Sequence, residues 1–176
     1  LFSAIIILTT VFAKKGMANL LDSDVEHEMW KWQRYGIRGH QKLRRKIPVG
    51  IFLPIIVTVF SLGIVKLTTL LTYDTKALKR RAAKRFGYYS YTEMTEWHNG
   101  LIGAAGIVSL LLLSVIAYLL PINIEYLAKL SIYYAFWNLL PLGKLDGTQI
   151  FFGSRILWAT LAMITTIFTA LALLTP

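Results

Sequence analysis

The sequence predicts an all-α integral membrane protein with about five transmembrane helices, the first of them truncated. Hydrophobic residues make up 56% of the 176 residues and charged residues only 16%, whereas about a quarter of an ordinary soluble domain is charged. The apolar residues are also gathered into blocks, several of which reach the ~20 residues needed to cross the hydrocarbon core of a bilayer. Both observations indicate membrane insertion, in several passes.

The first apolar block covers residues 1–13 and is followed directly by Lys14 and Lys15. A secretory signal peptide carries its basic residues before the apolar run, so we expect the end of a truncated transmembrane helix. A basic, aromatic loop continues to residue 47, and within it residues 28–46 are expected to form a helix lying on the headgroups. Residues 1–47 thus make one region and residues 48–176 the transmembrane core.

Four further apolar blocks follow, at residues 49–73, 99–120, 124–142 and 150–175. The block 49–73 contains Pro54 and Gly63, which predict a kinked or broken helix. If this block crosses the bilayer once, the basic loops 14–47 and 74–98 lie on opposite sides, against the positive-inside rule. If it is a re-entrant pair, both loops lie on one side. The sequence leaves these alternatives open.

The orientation follows once loop 74–98 is placed in the cytoplasm. The next two blocks then cross outward and back, and residues 143–149 lie on the same side as that loop. The net charge of +10 is explained by attraction of these loops to anionic headgroups, at about 1 kcal/mol per basic residue. The bilayer is therefore the predicted partner, and nucleic acid is not, because no recognised binding motif accompanies the charge. The chain has no cysteine, which excludes disulfides and thiolate chemistry.

A polar stretch interrupts the last two blocks, and it reads "NLLPLGKLDG" from Asn138 to Gly147. A charged residue at membrane depth is costly and marks a functional site by default. Irregular backbone at that depth is tolerated only where protein or a cavity surrounds it. Asp146 is therefore predicted to stand at a broken helix, in a candidate site.

This stretch resembles the second metal motif of the site-2 protease family of intramembrane zinc metalloproteases, Asn-x-x-Pro-x-x-x-x-Asp-Gly. Asn138, Pro141, Asp146 and Gly147 stand at the family spacing. The segments "RRAAKRFGYY" and "LIGAAGIVSLLLL" upstream resemble the family in the same order, so the resemblance covers about residues 60–160. It implies a site-2-protease-like core, a zinc ligand at Asp146, and a groove near these four residues that receives an unwound substrate helix.

The zinc-binding His-Glu-x-x-His of the family does not accompany the motif. The resemblance places it at residues 75–79, where the chain reads "TKALK". Zinc requires imidazole, thiolate or carboxylate ligands, and the nearest substitute set would be His98, Glu96 and Asp146, which lacks the helical geometry of the family. Catalytic residues and cofactors are accordingly predicted to be absent, with zinc expected only if other ligands exist.

Without zinc, Asp146 needs another partner, since an unpaired buried carboxylate is strongly unfavourable. Lys76 or Lys79 is predicted to supply the positive charge, unless both belong to a solvated basic run. The predicted function is that of a pseudoprotease: a catalytically inactive membrane scaffold that holds a transmembrane helix of another protein. The alternatives are an active metalloprotease with non-standard or upstream ligands, a structural subunit of a larger membrane complex, and a transporter.

Overall fold

The computed structural model describes residues 2–34, 42–62, 68–69, 71–78, 94–120 and 124–174. Over these residues the chain is mostly helical, as predicted. Its elements in order are α1 (Phe2–Leu20), β1 (Ser23–Met29), β2 (Trp32–Arg34), β3 (Lys42–Ile47), α2 (Val49–Phe60), β4 (Leu71–Ala77), α3 (Glu96–Leu119), α4 (Glu125–Leu139), α5 (Asp146–Gly153) and α6 (Arg155–Leu174). The prediction of an all-α chain is wrong, because β1 pairs with β4 and β2 pairs with β3, both antiparallel.

Two of the described helices, α3 and α6, are long and apolar enough to cross a membrane. By contrast, α2 has 12 residues and α4 has 15, which correspond to about 18 and 22 Å against a hydrocarbon core of ~30 Å. The described helices therefore support two of the five predicted spans. Large apolar side chains on α6 point outward, among them Ile156, Met163 and Leu171.

The pairing of β1 with β4 bears on the two alternatives for the block 49–73. In the register of this ladder Met29 lies opposite Leu71 and Ser23 lies opposite Ala77. A single crossing of residues 49–73 would put Met29 and Leu71 on opposite sides of a bilayer, whereas they are neighbours. If this block enters a bilayer, the neighbouring positions of Met29 and Leu71 therefore favour the re-entrant alternative over a single crossing.

The interfacial helix predicted for residues 28–46 is not formed by its described part. Residues 32–34 and 42–46 lie in strands, and Met29 ends β1. Trp30 is only 4% exposed, and its indole packs beside the turn at Gly143, whose φ is +62°. The aromatic side chain therefore supports the polar turn of the motif, which the residue pattern of the loop alone does not reveal.

Helix α3 forms the centre of the fold, with α1, α4 and α5 packed against it. Its core residues Ile107 and Leu110 are fully buried, together with Ala128 and Ala135 of α4 and Ile150 of α5. Gly100 of α3 and Gly153 of α5 lie so close that a Cβ at position 153 would be 3.0 Å from the Cα of Gly100. The small residues of α3 thus bring the neighbouring helices into backbone contact.

The helix break predicted at the motif is present. Helix α4 ends at Leu139 and α5 begins at Asp146. The free carbonyl oxygen of Leu139 accepts a hydrogen bond of 3.0 Å from the indole Nε1 of Trp158 in α6. This bond satisfies one of the carbonyl groups that every helix C-terminus leaves open and fixes α6 beside the break.

Candidate functional site

Asp146 forms a buried ion pair with Lys14. The Lys14 Nζ donates a hydrogen bond of 2.8 Å to Oδ1 and lies 2.6 Å from Oδ2, so one ammonium engages both carboxylate oxygens. The two side chains are 3% and 1% exposed. Asp146 stands in the first turn of α5, where the helix dipole also favours a negative charge.

The position of Lys14 follows from the packing of α1. The buried residues of this helix are Ile6, Thr10, Lys14 and Ala18, which repeat every four positions and form one stripe. Lys14 continues this stripe beyond the apolar block, so the stripe is the sequence signal that could have identified it. The apolar block alone predicts that the helix ends before Lys14, because a lysine after an apolar run usually marks the membrane boundary, whereas α1 continues to Leu20.

A tyrosine from the sheet covers the ion pair. Tyr73 of β4 is fully buried, and its ring centroid lies 4.5 Å from the Lys14 Nζ, within the range of a cation–π interaction. Its hydroxyl donates to the backbone oxygen of Asn99 at 2.6 Å, and its own carbonyl accepts from Gln149 at 3.1 Å. Burial and the nearby Asp146 carboxylate raise the pKa of Tyr73 well above its usual range, so the phenol stays neutral.

Two glycines of α3 make room for these side chains. A Cβ at Gly106 would lie 2.6 Å from the Cε of Lys14, and a Cβ at Gly103 would lie 2.7 Å from the hydroxyl of Tyr73. Gly103 is seven positions from the start of α3, or about 10 Å along the helix. The ion pair therefore lies well inside the helix end, enclosed by α1, α3, α5 and β4.

The structure places the four predicted groove residues in different environments. Asn138 and Asp146 are 1% exposed and Gly147 is buried, whereas Pro141 is exposed. The Nδ2 of Asn138 donates to the carbonyl of Tyr134 at 2.9 Å, while its Oδ1 finds no hydrogen-bond partner among the described residues. Three of the four motif residues are therefore buried inside the protein, and only Pro141 is exposed at its surface.

The predicted charge partners of Asp146 are corrected. Lys76 is exposed and pairs with Glu26 across the β1–β4 ladder, 2.5 Å from its carboxylate, so its assignment to Asp146 is wrong. Lys79 lies outside the described residues. Residues 75–77, where the resemblance places the start of the family's helical metal motif, belong to β4, and positions i and i+4 of a strand are far apart.

The residues around Asp146 do not fit the zinc ion that the resemblance implies. Lys14 is flanked on α1 by Ala13 and Met17, neither of which is among the usual zinc ligands. Of the other candidates, His98 contacts the Thr95 hydroxyl at the start of α3. Among the described residues, no group of three His, Asp or Glu side chains is placed to hold a metal ion.

A second polar environment lies between α1 and β1. His27 is half-buried, and its Nε2 finds no hydrogen-bond partner in the described part of the chain. Burial, together with the charges of Lys14 and Lys15, lowers the pKa of His27 to about 4 from the usual 6.5. The imidazole is therefore neutral in the folded protein at neutral pH.

The depressed pKa of His27 predicts a pH dependence of stability. Between about 4 and 6.5 the unfolded chain binds a proton at His27 and the folded chain does not, so this contribution to stability is complete above 6.5 and is lost as the pH falls to about 4. In His27→Asn, the unfolding temperature should fall less between pH 6.5 and 4.5 than in the parent. An unchanged dependence of the unfolding temperature on pH in His27→Asn would contradict the assignment.

An apolar cleft, which the sequence did not indicate, opens between α2 and the pair α1 and α4. Its volume is about 300 Å³. The residues that line it come from all three helices and from the segment before β4: Ser3, Ile6, Ile7, Gly50, Ile51, Pro54, Ile55, Thr68, Leu130 and Tyr134. Gly50 is the buried residue of α2, so this helix stands largely apart from the bundle.

Comparisons of the sequence with protein-family models and with curated proteins, and of the fold with solved structures, give no match.

Proposed function

We propose that the chain is a catalytically inactive, site-2-protease-like membrane protein, which holds a transmembrane helix of another protein without cleaving it. The observation that carries this proposal is the apolar cleft between α2 and α1/α4, next to a motif site that is closed around an ion pair. In this proposal α1, α3, α4 and α5 form the site-2-protease-like core, and the helix break at Asp146 keeps only a structural role.

The placement in a membrane is supported by the outer surface of the described helices. Phe52, Ile55, Ile56 and Val59 of α2 are each more than half exposed, and α6 is apolar along its length. A soluble protein rarely exposes apolar patches of this extent. Lipid therefore surrounds α2 and α6 in this proposal, with the basic loops at the anionic headgroups.

The contacts of residues 143–149 support the predicted orientation. The Lys144 Nζ lies 3.2 Å from the Asp74 carboxylate, and Gln149 donates to the carbonyl of Tyr73, so residues 143–149 lie beside the described start of the loop 74–98. The β1–β4 ladder brings the loop 14–47 beside that start too. All three basic or polar segments then share the cytoplasmic side, which satisfies the positive-inside rule.

The lack of proteolytic activity is supported by the surroundings of Asp146. Both carboxylate oxygens are engaged by Lys14, and the carboxylate is 1% exposed. Peptide hydrolysis needs water and a polarised carbonyl beside the catalytic groups. A closed ion pair offers neither, so this proposal assigns to the fold the binding of a transmembrane helix and not its cleavage.

The cleft has the chemistry of a surface for an apolar helix. Apart from Ser3, Thr68 and Tyr134, its lining is aliphatic, proline or glycine, and Gly50 lets another backbone approach closely. Since lipid tails are as apolar as the cleft, a helix is held there by close packing and by hydrogen bonds to the few polar groups. Ser3 and Thr68 are among the polar residues that line the cleft.

Crosslinking from a single cysteine tests this proposal. The chain has no cysteine, so Ile55→Cys in the cleft and Ile167→Cys on α6 each provide a unique attachment point for a benzophenone maleimide. The two positions are matched at 55% and 54% exposure. After photolysis in native membranes, we expect a defined adduct with a single-span membrane protein from position 55, and lipid adducts alone from position 167.

A cleft-filling variant separates specific binding from proximity. Leu130→Trp, added to Ile55→Cys, should reduce the protein adduct at least several-fold, whereas the volume-conserving Leu130→Met should leave it unchanged. Lipid adducts alone at both positions, or a protein adduct that Leu130→Trp does not reduce, would rule out the helix-holding function.

A further inference from the structure

The resemblance to a zinc protease implies a metal ion at Asp146, whereas the structure places the Lys14 ammonium there. We infer that the Lys14 ammonium is the resident cation of this site: it neutralises Asp146 and makes the site unable to load a divalent metal. The inference uses the resemblance on which the proposed function also rests. Its tests read metal content and thermal stability, so they can fail independently of helix binding.

The ammonium fills the space that a cation would need. The Nζ lies within 2.8 Å of both carboxylate oxygens and faces the Tyr73 ring at 4.5 Å. Gly106 of α3 closes the opposite side, since even a Cβ there would be 2.6 Å from the Lys14 Cε. An added ion would have to displace the ammonium from Asp146.

The charge balance also opposes a metal. Lys14 and Asp146 together are neutral, whereas a divalent ion beside them would leave a net charge of about +2 in a buried site, which is strongly unfavourable. Zinc sites avoid this imbalance by adding neutral imidazoles or further anionic ligands. On α1 the neighbouring positions hold Ala13 and Met17, which supply neither.

Lys14 also links two helices, as a structural metal ion would. A zinc ion bound between two helices holds them together through its ligands, and the pair joins α1 to α5 across 132 positions of the chain. Because the link is part of the polypeptide, it forms on folding without any supply of metal. The fold is thereby independent of divalent ions, unlike that of a protein with a structural zinc site.

The parent protein provides the first test. Purified in detergent and loaded with zinc, it should retain well under one equivalent after desalting, and its unfolding temperature should be the same with EDTA, without additions and with zinc. About one equivalent of bound zinc that Asp146→Ala removes, or an unfolding temperature lowered by EDTA, would overturn the inference. This measurement does not depend on any variant folding.

A metal-restoring variant provides the second test. Histidines at positions i and i+4 of one helix form a zinc-binding pair, so Ala13→His and Met17→His, combined with Lys14→Glu, should create a site that includes Asp146. We expect about one equivalent of zinc, an unfolding temperature raised by zinc and lowered by EDTA, and loss of both on adding Asp146→Ala. A folded variant that binds no zinc would show that Lys14 does not occupy a metal position.

Discussion

Alanine at position 147 should prevent the chain from folding stably. We expect the free energy of unfolding to fall by more than ~4 kcal/mol, in the range that marks a severe defect. A Cβ added to Gly147 would lie 1.9 Å from the carbonyl oxygen of Leu139 and 2.2 Å from its carbonyl carbon. Both are backbone atoms at the end of α4, so no side-chain rotation relieves the clash. Nor can this end of α4 shift easily, since the Leu139 oxygen is held by Trp158.

The measurement is the yield of monodisperse protein in detergent, together with its unfolding temperature. Gly16→Ala is the matched control, because a Cβ there meets nothing within 4 Å and the position lies inside α1. This control should be neutral or stabilising by up to ~1 kcal/mol. A Gly147→Ala protein with the yield and unfolding temperature of the parent would show that the α4–α5 contact is looser than the structure has it.

Removal of the Lys14 ammonium should produce the second large loss of folding stability. Lys14→Met keeps the length of the side chain but leaves Asp146 buried and unpaired, which costs about 3–5 kcal/mol. Asp146→Asn leaves the ammonium buried with only the Tyr73 ring and should also destabilise. The double variant Lys14→Met/Asp146→Asn contains no buried charge, so it should recover much of the stability lost by either single variant.

Thermal or denaturant unfolding of the parent, both single variants and the double variant gives a double-mutant cycle, which isolates the energy of the pair. The exposed pair of Lys144 with Asp74, at 3.2 Å, is the control: Lys144→Met should change stability little, because exposed ion pairs contribute little. If the losses from the two single variants simply add in the double variant, Lys14 and Asp146 do not form the pair described here.

Several features of this protein were predictable because they depend on local sequence. The apolar blocks predict helices, and α3 and α6 are long enough for a bilayer. Pro141 and Gly143 predict the break between α4 and α5, since proline lacks a donor and the φ of +62° at Gly143 suits glycine. The need of Asp146 for a cation also followed from its place in an apolar chain.

The strands were missed because their residues gave a misleading local signal. β4 takes its first residues from the end of an apolar block whose composition predicts a span, and β1 lies in a charged loop. Asp24 and Glu26 alternate along β1 with buried or half-buried residues, but a short alternation of this kind is weak evidence until its partner strand is known. The partner strand β4 is more than 40 positions away in the sequence, and only the fold brings it beside β1.

The sequence by itself determined that one buried carboxylate stands at a helix break and that it needs a positive charge. It offered 19 lysines and arginines and no means of choosing among them. The tertiary structure made that choice, because Gly106 of α3 leaves room for Lys14 of α1, while the ladder to β1 turns Lys76 outward to Glu26. Composition and spacing report local burial and backbone preference, whereas the partner of a charge depends on which helices pack together.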